Sequence, residues 1–203
     1  MSNPRDTILC RVQSALAGIE RRATLPDWDI ELAQARTLVG DRSVESVFAE
    51  RIRLVNGRCL SSVAEVAAAL AEGGWTRGYC DPTLLPLIAP AFGPGFTIET
   101  EYDRTRVDDY AFGITRARGA IAETGTLILD DACTSRRLAA LAPWVHVAVL
   151  DRSSICAFLA DAVASLGEDP NIILVTGPSK TADVEGILIE GVHGPGQQWA
   201  LLV

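Results

Sequence analysis

Three short stretches carry residue types that could do chemistry. The first is Gly113 to Asp130, GITRARGAIAETGTLILD, centred on Ala122-Glu123-Thr124-Gly125-Thr126. Its carboxylate stands between two apolar runs. Stripped of water, such a group must find a partner or take up a proton. Two readings fit. In one this is a tight turn between strands, with Gly125 supplying an unusual backbone angle and Thr124 and Thr126 bonding locally to main chain. In the other Glu123 is a site carboxylate with N–H groups and hydroxyls gathered around it.

The second stretch is Thr176-Gly177-Pro178-Ser179-Lys180-Thr181-Ala182-Asp183, directly after an apolar run. Glycine at a strand end lets the backbone turn sharply. Ser179, Lys180 and Thr181 then offer hydroxyls and a positive charge near a predicted helix start, where free N–H groups point outward, and that combination could cradle an anion. It is not a Walker A loop, because no glycine precedes the lysine. The alternative is an ordinary connection with a capping hydroxyl, in which Asp183 and Glu185 only favour the helix dipole.

The third stretch is Gly191-Val192-His193-Gly194-Pro195-Gly196. Small neighbours leave the His193 ring reachable for hydrogen bonding, proton transfer or metal binding, and a structural histidine bonded to a loop carbonyl fits as well. His146 differs. It lies inside an apolar run and reads as a satisfied sheet or core residue. There is no GxSxG, HExxH or GxGxxG, so no nucleophile elbow, zinc-protease site or ordinary dinucleotide loop is expected.

These stretches need a framework, and the chain is long enough to build one. It has 203 residues, 48% of them apolar, and a net charge of -8. That describes a globular protein and argues against nucleic-acid binding. The five cysteines, Cys10, Cys59, Cys80, Cys133 and Cys156, form no CxxC pair. Reduced thiols in the cytoplasm are the expectation, with no metal site, no iron–sulfur cluster and no cofactor. No signal-type segment or membrane span is expected.

Asn3-Pro4 opens a first helix with Ile8, Val12, Leu16 and Ile19 on one face. Residues from Arg21 to Gly40 read as a connector. Ser43 opens a second helix that Gly57 can close. Arg58–Leu60 reads as a short strand, and Ser62 with Glu65 as a capping box before an alanine-rich helix. Trp75–Cys80 and Phe96–Tyr102 read as strands, Ser135–Leu141 as a helix, and Val145–Leu150 as a buried strand. Ser153 or Ser154 is expected to cap a helix with Ile155, Phe158, Leu159, Ala162, Val163 and Leu166 inside. Asn171–Thr176 reads as a strand, Ala182–Gly186 as a helical turn, and Trp199–Val203 as the last strand. The alternation, with several strands apolar throughout, predicts an α/β fold: a Rossmann-like, open, mostly parallel sheet. Residues 1–57 would form a helical segment packed on a core of residues 58–203. Ligands in such sheets sit at the carboxyl ends of strands.

Together GITRARGAIAETGTLIL, TGPSKTADVEG and GVHGP, in this order, resemble the LUD-domain family and, within it, the lactate-utilisation protein C group. The resemblance is densest from Asp109 to Val203. It implies a fold similar to the NagB/RpiA/CoA-transferase-like group. It also implies a subunit of a bacterial system that oxidises L-lactate to pyruvate, in which partner subunits carry the iron–sulfur clusters. Glu123, Lys180 and His193 would then be the reacting side chains. Thr124, Gly125, Thr126, Gly177, Pro178, Ser179, Thr181, Asp183 and Gly194 would line a site for a small anionic ligand. The alternative implied by the fold group is a free-standing enzyme. In CoA transferases a glutamate attacks the acyl group, and by that analogy Glu123 would be nucleophile or base with Lys180 stabilising charge. Lys180 stands where arginine is common, which keeps the charge but loses the two-pronged guanidinium.

Overall fold

The computed structural model describes residues 3–18, 40–166, 171–182 and 186–203. Most of the Arg21–Gly40 connector lies outside them, as does Asp183. The chain forms two compact units, Met1–Gln34 and Ala35–Val203. In the first, helix α1 spans Pro4–Leu16, and the Asn3 side chain accepts a hydrogen bond from the N–H of Arg5. Of the expected inner face, Ile8, Val12 and Leu16 are exposed, and Ile19 lies outside the described residues.

The second unit is built on a six-stranded parallel sheet. Its strands are β1 (Arg58–Leu60), β2 (Arg77–Cys80), β3 (Thr97–Glu99), β4 (Phe112–Arg116), β7 (Val145–Leu150) and β12 (Gln197–Leu202), in the order β1-β12-β7-β4-β2-β3. Every pairing in it is parallel. This is the α/β architecture that the alternation of elements predicts. A smaller sheet runs β8 (Ile155–Cys156), β5 (Gly119–Ile121), β6 (Thr126–Leu129) and β9 (Ile173–Val175). A third piece pairs β10 (Lys180–Thr181) with β11 (Ile189–Glu190).

Two apolar clusters cover the two faces of the large sheet. On one face, Val66 and Leu70 of helix α3 (Val63–Glu72) and Ile88 of helix α4 (Leu85–Ile88) meet Ile114, Val147 and Trp199. On the other, Val47, Phe48 and Ile52 of helix α2 (Val44–Leu54), together with Ala120, Leu127 and Leu129 of the small sheet, meet Ala148, Leu150 and Ala200. The small sheet is thus a third layer. Short helix α5 (Arg137–Leu141) lies on this face too, so close that any side chain at position 113 would strike the Ala139 carbonyl. Glycine is required there by close approach, not by backbone angle.

Several local expectations hold. Ser43 and Ser62 cap α2 and α3, bonding the N–H of Ser46 and Glu65. The Glu65 carboxylate returns to the Ser61 N–H instead of to the cap residue. Others are corrected. Helix α2 is closed by Asn56, the residue in the left-handed region, while Gly57 donates its N–H to the Ile52 carbonyl. Strand β3 stops at Glu99 because the chain turns inward: Tyr102 stacks on Tyr110 at 4.7 Å, and Asp103 accepts from the Thr105 N–H. The helix expected from Ser153 or Ser154 does not start there. Asp151 caps a single 3-10 turn, Ile155–Cys156 join β5 as a strand, and the helix α6 is only Leu159–Ser165. Strand β9 is not a buried parallel strand. It runs antiparallel to β6 at a sheet edge with Leu174 exposed.

Candidate functional site

The β5–β6 turn holds Glu123, Thr124 and Gly125. Gly125 has φ +68°, and a side chain on it would run into the backbone of Arg51 and Ile52 in α2. Position 125 is therefore glycine on two counts, angle and space. The Thr124 hydroxyl pairs with that of Thr126 at 2.7 Å, and Thr126 with Thr176 at 2.7 Å. This hydroxyl chain ties the turn to the end of β9. There Gly177, at φ +78°, presses on the Val55 carbonyl of the segment that closes α2. The Ser179 N–H donates to the Pro195 carbonyl, and the Gly191 N–H donates to the Ser179 carbonyl. The three stretches singled out in the sequence therefore adjoin one another along the C-terminal half of α2.

Their place in the fold is the amino rim of the large sheet. GVHGPG leads into the first residue of β12, whose N–H donates to the Trp144 carbonyl just before β7. Because β9 runs antiparallel to β6, the carboxyl end of that strand also points to this rim. Lys180 and Thr181 pair with Glu190 and Ile189 as strand, and most of the helical turn expected over Ala182–Gly186 lies outside the described residues.

Each proposed reacting group has a defined surrounding. Glu123 is half-buried, and its Oε1 accepts from the Leu159 N–H at 2.6 Å, so it caps α6 from a distant part of the chain. Lys180 Nζ donates to the Val55 carbonyl at 3.3 Å and lies 3.6 Å from Glu190 Oε1. Glu190 is also held by the Asn56 amide at 2.8 Å. His193 is exposed; Pro178 is buried, and Gly194 lies beside the Ser179 side chain. His146 is fully buried between Thr115 and Gln198, each within 3.0 Å of one ring nitrogen. Burial holds its pKa down at about 4, against an upward pull from Gln198. It is the satisfied sheet residue that its apolar surroundings predict.

A second locus lies at the opposite, carboxyl rim. Strand β2 leads to β3 on one side, while β4 leads to β7 on the other, so the chain direction switches between β2 and β4. Open α/β sheets place ligand crevices at such points. A cavity of about 520 Å³ is lined there by Arg104, Thr134, Ser135, Arg136, Arg137 and Leu141, among others. Thr134 Oγ1 donates to the carbonyl of Arg116, the last residue of β4, and the Ser135 hydroxyl pairs with that of Tyr79 in β2. Next to it, Asp130 is buried. Burial pushes its carboxyl up, but the Arg118 guanidinium and the Cys133 N–H outweigh that and hold it below the usual range. The sequence reading missed this locus. Its one signal was Thr134-Ser135-Arg136-Arg137, two hydroxyls followed by two cations. Among the described residues no group of three or more His, Cys, Asp or Glu is arranged to hold a metal ion. No helix among them is long and apolar enough to cross a membrane.

Comparison with known proteins bears on the same elements. The LUD domain family matches residues 81–203, which contain β3 to β12 and all three motif loops. The chain belongs to the LUD-domain family. It is 30% identical to a lactate utilization protein C of Deinococcus radiodurans, over 97% of this chain and 93% of that protein. The lactate utilization protein C of Bacillus subtilis is 33% identical over a shorter stretch, 45% of this chain and 41% of that protein. Among solved structures, a DUF162 family protein from Deinococcus radiodurans superposes with a TM-score of 0.57 at 26% identity, covering 79% of this chain and 96% of that one.

Proposed function

We propose that this LUD-domain chain is a component of a bacterial lactate-utilisation system. It acts in the cytoplasm, in the oxidation of L-lactate to pyruvate, and carries no iron–sulfur cluster itself. Its partners are subunits that do. The observation behind this reading is the near full-length similarity to a lactate utilization protein C. The dispersed cysteines agree with it: Cys10 is exposed, Cys80 is buried, and all five are free. A cell lacking the gene should fail to grow on L-lactate and recover when the gene returns. The tagged protein should bring down cysteine-rich redox subunits. Normal growth of the deletion strain, with no such partner recovered, would reject the proposal.

A second reading makes the chain an enzyme of the CoA-transferase type, with Glu123 as nucleophile. One feature favours it. Glu123 Oε1 is fixed by a backbone N–H, while Oε2 has no partner among the described residues. A carboxylate nucleophile attacks through an oxygen that is not tied up elsewhere, and Oε2 meets that need. Turnover of acyl-CoA by the pure chain, abolished in Glu123→Gln, would establish this reading. Lack of turnover across acyl-CoA and phosphosugar substrates removes it.

A further inference from the structure

We infer that the cavity at the carboxyl rim, between β2 and β4, binds a small ligand through a carboxylate or phosphate group held by Arg104 and Arg136.

The charge balance of the cavity is the first ground. Arg137 is paired with Asp131 at 2.8 Å. Neither the Arg104 nor the Arg136 guanidinium hydrogen-bonds or ion-pairs with any described residue, although the Arg136 backbone carbonyl accepts from the Ala139 N–H. Asp131 is the one acid in the lining, so the cavity carries a positive excess on a chain of net charge -8. Guanidinium groups present paired donors that match the two oxygens of a carboxylate or the face of a phosphate.

The second ground is the setting. The arginines come from two separate segments. Arg104 follows β3, and Arg136 lies in the segment between β6 and α5. They meet at the switch point, where two adjacent strands send their connections opposite ways. Ser135 adds a hydroxyl, already oriented by the buried Tyr79. Thr134 is locked by the Arg116 carbonyl and fixes the start of this segment. The Tyr102 ring packs edge-on against that of Tyr79 at 5.6 Å, and its hydroxyl is buried without a hydrogen-bond partner among the described residues, two positions before Arg104. Native proteins rarely leave such a donor orphaned without a functional reason. The volume falls within the range of small-molecule sites.

This site stands apart from the amino-rim loops and does not depend on the lactate assignment. Calorimetric titration of the full chain at low ionic strength, with inorganic phosphate and with L-lactate as separate probes, tests it. Saturable binding of one probe is expected, and the probe that binds identifies the group. Arg104→Ala and Arg136→Ala should each weaken binding about tenfold, whereas Arg136→Lys, which keeps charge but not the fork, should fall between. Arg42→Ala, elsewhere on the surface, should leave affinity unchanged. Both arginines are exposed, so the variants should keep the wild-type circular dichroism spectrum. The inference is overturned by absence of saturable binding of either probe up to about 10 mM. It is equally overturned by affinity that survives both arginine changes, or that drops as much in Arg42→Ala.

Discussion

At the scale of single residues, His146 and Glu123 show how far side-chain type alone predicts role. Both are polar groups among apolar neighbours, but only His146 is bonded at every polar atom; Glu123 is bonded through one carboxylate oxygen. His146 is bonded through both ring nitrogens inside the sheet, and burial lowers its pKa from 6.5 to about 4. In the unfolded chain it takes up a proton near pH 6.5. Between those values the unfolded state binds one more proton than the folded state, so stability rises with pH across that window and is lost on acidification through it. The loss amounts to roughly 3 kcal/mol at most. The carboxyls of Asp103, Asp130 and Asp151 are held low, so their contributions fade as pH falls from the ordinary carboxylate range downward, at lower pH than that of His146. Melting temperatures of the wild type should therefore fall from pH 6.5 to pH 4.5, and His146→Gln should flatten that slope. An unchanged slope in the variant would place the acid sensitivity elsewhere. Glu123 carries a second prediction at this scale. Its bond to the Leu159 N–H is the side-chain cap that α6 otherwise lacks. Glu123→Gln keeps an acceptor but loses the charge, and Glu123→Ala loses both. Chemical denaturation should show about 1 kcal/mol lost in the alanine variant and less in the glutamine variant.

At the scale of elements, what could be read depended on whether the deciding interactions were local. The caps at Ser43 and Ser62, the stop at Gly73-Gly74 and the apolar run Val145–Leu150 are local signals, and the structure has them. Strand β8 and helix α6 were misread because Ile155, Phe158, Leu159 and Ala162 have helical spacing, while pairing with β5 claims Ile155 and Cys156 for a sheet. No property of residues 153–166 announces that partner. Strand β9 was misplaced for the same reason: NIILVT reads the same whether its neighbour is parallel or not. The motif glycines were legible as turns, but not what they turn against. Gly125 and Gly177 both have positive φ, and both press on α2, at Arg51–Ile52 and at Val55. Alanine at either position meets strain and collision together, so each should cost about 2 kcal/mol or more. Gly186, also at positive φ but with nothing among the described residues within 4 Å of where a β-carbon would stand, separates the two effects. Gly186→Ala should cost only about 1 kcal/mol, the strain without the collision. Equal losses at all three sites in denaturant titrations would mean that packing on α2 contributes little.

At the scale of the whole molecule, the sequence revealed the layer type but not which rim its motifs would occupy. Strands followed by helices imply a parallel sheet, and the sheet is there. The loop after β9 lies at the amino rim of the large sheet, because β9 belongs to a different sheet and runs antiparallel to β6. Strand order is set by which strands pair, and that is decided by packing between residues far apart, such as Arg58 with Trp199. The division into units has the same origin. Helix α2 belongs to the larger unit, which begins at Ala35, and Val47, Phe48 and Ile52 are wholly buried in the cluster shared with both sheets. Helix α1, in contrast, buries none of its residues. Burial of apolar area is the main source of stability, so a helix that buries no residue adds little to it. A chain beginning at Ala35 should therefore retain the cooperative melt of the full-length protein, within a few degrees. A chain beginning at Arg58, which lacks α2, should lose the floor beneath Gly125 and Gly177 along with three fully buried side chains, and should fail to fold cooperatively. If the chain from Ala35 proves unfolded while the full chain is stable, residues before Ala35 hold the larger unit together, and the boundary between the units is not a boundary in stability.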